Sequence, residues 1–130
     1  MKKIAAIDFG LKRVGLAFCF DGQIVLPQKA IVGANMQESA KKLSKTLQEW
    51  GIELLVVGLP KGGSAQEEME KLIKEYITML DIPNMKIEYI DEAFSSYEAK
   101  ELTKGKIKHK RDGRLDSIAA KIILERFLGG

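Results

Sequence analysis

Three acidic positions in this sequence have the residue types for chemistry: Asp8, the Asp91-Glu92 pair and Asp116. Asp8 closes an apolar run and opens Asp8-Phe9-Gly10, although a strand-end Asp is also a common way to begin a turn. Asp91-Glu92 follows a short alternating segment and precedes Ser95-Ser96-Tyr97-Glu98, which fits a capping box and the start of a short helix. Acids ahead of a helix also favour its positive end, so this pair has an ordinary reading too. Asp116 is the most informative of the three. At about 100° per residue, a closing helix gathers Leu115, Ile118, Ala119, Ala120, Ile122, Ile123, Leu124 and Phe127 on one wide arc. Asp116 falls inside that arc, between Ile123 and Phe127, while Arg114, Ser117, Lys121 and Glu125 take the other side. An unpaired carboxylate there would cost several kcal/mol, so Asp116 must be paired, protonated or bound to a cation.

These positions belong to the first strand, the end of the last strand and the final helix, elements that can converge at one end of a sheet. Converging carboxylates with a single His and a single Cys in the chain make a hard, oxygen-rich site. Such a site prefers Mg²⁺ or Mn²⁺ to zinc. Two ions about 4 Å apart could activate a water and stabilise the leaving oxygen of a phosphodiester.

A basic segment lies beside this acidic set. Leu102 to Arg114 holds Lys104, Lys106, Lys108, Lys110, Arg111 and Arg114 against one acid, Asp112, a local charge of +5. The whole chain is only +3, so the remainder is −2. A charge run is often just a solvated face, but this one leads directly into the helix bearing Asp116. That position suits phosphate contacts, to which Lys12 and Arg13 can add. No aromatic residue interleaves the run, which argues against base stacking on it. His109, within the segment, is either an exposed polar residue or a proton shuttle near a metal site. Lys61-Gly62-Gly63-Ser64 lacks the P-loop pattern and supports no nucleotide site. Cys19 and Trp50 read as packing residues.

The elements that must position these residues follow from the apolar spacing. Lys2–Phe9 reads as a strand, with Ile4, Ala6 and Asp8 on one face and Ala5, Ile7 and Phe9 on the other. Val14–Phe20 is a second strand, and Asp21-Gly22 a hairpin turn into a third, Gln23–Val32. Pro27 marks the third strand as an edge or a bulge. A helix spans Met36–Trp50 and stops at Gly51; Glu53–Leu59 is a strand buried on both faces. A Gly-rich loop, a helix over Ala65–Leu80, a strand over Lys86–Ile90 and a helix over Gly113–Leu128 complete the order. Three strands in an antiparallel meander, then strands separated by helices, give a mixed five-stranded α/β sheet of the ribonuclease H-like kind.

Length and composition agree with one domain over residues 1–130. Two-domain kinases, motor ATPases and full Rossmann dehydrogenases do not fit this length. One cysteine excludes an internal disulfide and a Cys-rich zinc site. Asp8 interrupts the first apolar stretch, and no run nears the about 18 residues of a spanning helix. The expectation is a soluble cytoplasmic protein with no membrane partner.

Four segments resemble the YqgF/RuvX family. Asp8-Phe9-Gly10-Leu11-Lys12-Arg13-Val14-Gly15-Leu16-Ala17 is similar to its opening motif, and Val57-Gly58-Leu59-Pro60 to its V-G-L-P segment. Asp91-Glu92 followed by Ser95-Ser96 resembles its D-E-R-[LF]-[ST]-[ST] motif. Leu115-Asp116-Ser117-Ile118-Ala119-Ala120 through Ile123-Leu124 resembles its closing helix. The match runs nearly the whole chain in the right order. It implies a ribonuclease H-like fold and a metal-dependent nuclease, with family descriptions that include a Holliday-junction-resolvase homologue and a nuclease maturing the 5′ end of precursor 16S ribosomal RNA. The family's acidic residues map onto Asp8, Glu92 and Asp116, choosing Glu92 over Asp91. Asp91, Ser95, Ser96 and His109 remain auxiliary candidates. Two departures stand out: Ala93 replaces the family's usual Arg, and the loop after Pro60 is short. Either could alter substrate binding without removing a proposed ligand.

The expected function is therefore a Mg²⁺- or Mn²⁺-dependent nuclease, using two ions, on structured RNA such as an rRNA precursor. A water attacks the phosphorus in line and the 3′-oxygen leaves. One alternative is resolution of branched DNA, which demands a symmetric dimer for two equivalent cuts; the sequence itself permits a monomer or a homodimer. Another is a non-catalytic nucleic-acid-binding regulator of transcription or ribosome assembly. An actin-like ATPase fragment shares the Asp-x-Gly strand start but requires a second domain.

Overall fold

The computed structural model describes residues 2–60, 66–91 and 114–129. Its elements are β1 (Ile4–Asp8), β2 (Arg13–Cys19), β3 (Val25–Val32), α1 (Met36–Glu49), β4 (Leu54–Leu59), α2 (Gln66–Thr78), β5 (Lys86–Asp91) and α3 (Arg114–Gly129). The expected elements over these residues are all present, with ends moved by one or two residues. The Gly-rich loop beyond Pro60, the expected short helix at Ser95 and most of the basic segment lie outside the described residues.

One sheet carries the fold, in the order β3-β2-β1-β4-β5. β1–β2 and β2–β3 pair antiparallel, while β1–β4 and β4–β5 pair parallel. This is the mixed five-stranded arrangement expected from the order of strands and helices. β3 is an edge strand, the position that Pro27 marked in the sequence. A register shift in the β2–β3 pairing, between Val14 and Leu16, adds a bulge.

Strand alternation sends two different populations of side chains to the two faces. Ala5, Ile7, Val14, Leu16, Phe18, Leu55 and Val57 face one way and pack against Leu43 and Leu47 of α1 and Ile73 and Tyr76 of α2. Ile4, Ala6, Ala17, Cys19, Leu54 and Val56 face the other way, against Ala120, Ile123 and Leu124 of α3. The residues of β1 and β2 under α3 are notably small, so this helix can approach the sheet closely. Both faces of β4 are covered, as its Val/Leu run implied.

Local signals explain the helix ends. Asn35 caps α1, its Oδ1 accepting from the Glu38 N–H at 2.8 Å, and Glu38 returns a bond to the Ala34 N–H. Gly51, with φ of 66°, ends the helix. Trp50 departs from the expectation of a packed residue: it is half exposed, with its ring stacked on Phe20 and tilted against Phe18. It occupies the C-cap of α1, where the chain turns away from the core. Among the described residues, no helix is long and apolar enough to cross a membrane.

Candidate active site

The site is built at the carboxyl end of β1. Asp8 is the last residue of that strand and shares a face with Ile4 and Ala6, the face that α3 covers. Phe9, the next residue, turns to the opposite face and packs on Tyr76 with ring centroids 4.9 Å apart. That contact anchors the strand end and leaves Asp8 directed toward the α3 side, partly exposed.

β2 brings the second component. Asp8 pairs in register with Gly15, so Arg13, Gly15 and Ala17 lie on the same face as Asp8. A Cβ on Gly15 would stand 1.9 Å from the Asp116 carbonyl oxygen and 2.9 Å from the Ser117 nitrogen. The first turn of α3 therefore sits directly on Gly15, and only a residue without a side chain permits it. The register Asp8–Gly15 and the contact Gly15–Asp116 together bring two of the three expected carboxylate positions to one place.

Asp116 meets one of the three conditions its helical position demanded: it is paired. Arg13 Nε donates to Asp116 Oδ2 at 2.9 Å, with the two side chains 22% and 32% exposed. The carboxylate also lies in the first turn of α3, where the helix dipole favours a negative charge. Next to it, Ser117 is buried, and its Oγ accepts from the Leu16 N–H at 3.4 Å. Ser117 was expected on the side of α3 opposite the apolar arc, yet it is buried. On the helical wheel Ser117 borders Leu124, and the close seat on β2 covers that border.

The other expected site residues divide clearly. Asp91 ends β5 opposite Leu59 of β4. It has the parity of Ile87, which packs on the α1–α2 face, so Asp91 lies on the opposite side of the sheet from Asp8. Lys12 is exposed beside the site. Arg13, expected as a phosphate contact, is engaged with Asp116. Arg114 begins α3. Glu92, Ser95, Ser96, Lys104, Lys106, Lys108, His109, Lys110 and Arg111 lie outside the described residues. Gly15 is the functional residue that reading the acids alone missed. Its signal was the run of small residues, Gly15, Ala17 and Cys19, at alternate positions of β2.

Chemically, the described part of the site offers carboxylate oxygens. Cys19 is buried at the far end of β2. Among the described residues, no group of three His, Cys, Asp or Glu is placed to hold a metal ion. Two carboxylates approaching from β1 and α3 nonetheless suit a hard divalent cation with oxygen or water completing its shell. The Arg13 guanidinium shows that the position already attracts positive charge.

Comparison with known proteins gives a consistent result. The family model described as "RuvX: Holliday junction resolvase" matches residues 2–130. A protein of Sulfurovum sp. (strain NBC37-1), named "Putative pre-16S rRNA nuclease", is 56% identical over 126 residues, covering 97% of this chain and 98% of the relative. Proteins of the same name from Sulfurimonas denitrificans and Campylobacter lari are 44% and 41% identical, covering 97% and 98% of this chain and 96% and 98% of their own lengths. Among solved structures, T. thermophilus RuvC in complex with a Holliday junction substrate aligns with a TM-score of 0.58 at 11% identity, covering 98% of this chain and 96% of its own. The fowlpox virus Holliday junction resolvase aligns with a TM-score of 0.54 at 12% identity, covering 97% and 99%. At such identities these structures speak to the fold, which is ribonuclease H-like.

Proposed function

The chain belongs to the RuvX (YqgF) family, and from that premise we propose that it is a nuclease that hydrolyses phosphodiester bonds in precursor 16S rRNA, at the 5′ end of the mature sequence. The observation that carries this reading is the convergence of Asp8 and Asp116 across Gly15. The choice of RNA rests on the full-length relatives, whose printed name specifies pre-16S rRNA. Such a substrate places the activity in the cytoplasm.

Asp8, Asp116 and Glu92 are the residues that would hold two Mg²⁺ or Mn²⁺ ions. When bound, the ions supply a polarised water and charge stabilisation for the leaving oxygen. The chain's own residues do the rest. β1, β2 and α3 fix Asp8 and Asp116, since both positions are set by backbone packing. Lys12 and the cations from Lys104 to Arg114 hold the substrate backbone against an otherwise anionic cleft. Water adds to phosphorus, the 3′-oxygen departs with a proton, and a 5′-phosphate end remains.

Branched DNA is the competing substrate, favoured by the family description and by the resolvase fold. A direct comparison separates the two. The protein, with Mn²⁺, is given precursor 16S rRNA and a four-way DNA junction. Cleavage of the RNA at a defined 5′ position is expected; paired cuts in the junction with intact RNA would reverse the assignment.

A further inference from the structure

Arg13 is placed to do more than contact substrate. It stands at the start of β2, two residues before Gly15 and on the same face as Asp8, with its Nε on Asp116 Oδ2 at 2.9 Å. Both partners retain solvent access, at 22% and 32% exposure, so the pair is not sealed in the core.

We propose that Arg13 is a positioning residue that occupies the Asp116 carboxylate in the metal-free protein and yields it to a divalent cation, becoming available to phosphate. This rests on the metal-dependent reading of the site given above. A guanidinium never loses its proton under ordinary conditions, so it neutralises Asp116 and holds the carboxylate in one orientation. The oxygen it engages is one that a cation would use. The ion and the guanidinium compete for the same negative charge, and repulsion between the two cations at Asp116 favours release of the guanidinium. Displaced, Arg13 remains tethered at the rim of the site with its planar donor fork intact, the geometry that suits a phosphate. The residue thus opposes metal binding and assists substrate binding.

The two roles have opposite signs, which makes them separable from simple damage to the fold. In calorimetric titration of Mn²⁺ into the full chain without RNA, Arg13→Gln should bind the ion about two- to fivefold more tightly than the wild type, the range for loss of a solvent-accessible ion pair. In cleavage assays at saturating Mn²⁺, the same variant should show a KM for RNA raised by a similar factor. Arg13→Lys keeps the charge but not the fork, so its Mn²⁺ affinity should return toward wild type while KM stays raised. Equal or weaker Mn²⁺ binding by Arg13→Gln, with wild-type thermal unfolding, overturns the proposal. If the wild type itself binds no Mn²⁺, the metal-dependent reading fails and this inference fails with it; if both bind equally, only the role of Arg13 is refuted.

Discussion

Gly15 of β2 lies so close to Asp116 of α3 that any Cβ at position 15 would stand 1.9 Å from the Asp116 carbonyl oxygen. Because Gly15 is also the register partner of Asp8, this one contact sets the spacing between the two carboxylate-bearing backbones. The colliding atoms are main chain, so no side-chain rotation relieves the clash. Gly15→Ala should push α3 off the sheet. Overpacking of this sort costs about 1–3 kcal/mol. Urea unfolding should show that loss, and cleavage by the folded fraction should fall further than the loss of stability explains. A variant with wild-type stability and activity would show that α3 shifts freely.

The opposite face of the sheet offers a test of what anchors the end of β1. Tyr76 is buried, packs on Phe9, and shares a 2.9 Å hydrogen bond with Ser39. Burial pushes the Tyr76 hydroxyl up to about 12, with the Ser39 hydrogen bond acting in the other direction. In the unfolded chain the phenol titrates near 10. The folded state therefore holds its proton more tightly. This stabilisation is complete below about pH 10 and is lost as pH rises toward about 12, a change of roughly 2–3 kcal/mol. Unfolding measured from pH 9 to 12 should show that decline.

Tyr76→Phe should remove this pH dependence and lower stability at neutral pH by about 1–2 kcal/mol, since Ser39 Oγ is left buried without its partner. Metal binding should be unaffected, because Phe9 can still pack on the ring. Thermal unfolding with and without Mn²⁺ checks both statements.

The basic segment should reveal itself through salt. Replacing Lys104, Lys106, Lys108 and Lys110 with Gln removes four cations from a segment of charge +5. If these residues contact phosphates, the slope of log affinity for RNA against log salt should become shallower by up to about 3, at about 0.7 per contact on single strands. Protein stability should change little. An unchanged slope would mean that the run is a solvated face.

Much of this architecture was legible because alternation and breakers are local properties. Ile4, Ala6 and Asp8 share a face by strand geometry alone, Pro27 announced an edge, and Gly51 ended α1. The helical wheel left Asp116 paired, protonated or bound to a cation, and the structure shows the first of these. What the wheel could not supply was the partner's name, since Arg13 is 103 residues away in sequence. The same limit explains Ser117 and Trp50. A wheel gives the direction a residue faces, but burial depends on how closely another element approaches. α3 approaches β2 closely enough to cover Ser117, whereas nothing among the described residues fully covers Trp50. Asp91 illustrates a third limit: the side of the sheet on which a strand-end acid lies follows from register, and its parity with Ile87 puts Asp91 on the face opposite Asp8.

The central claim is that Asp8 and Asp116 together form a metal-dependent cleavage site. The direct measurement is cleavage of precursor 16S rRNA by the wild type, Asp8→Asn and Asp116→Asn, with and without Mn²⁺, alongside circular dichroism of each protein. The site described here predicts Mn²⁺-dependent cleavage by the wild type and none above background by either folded variant. Undiminished cleavage by both variants, with their folds intact, would contradict it.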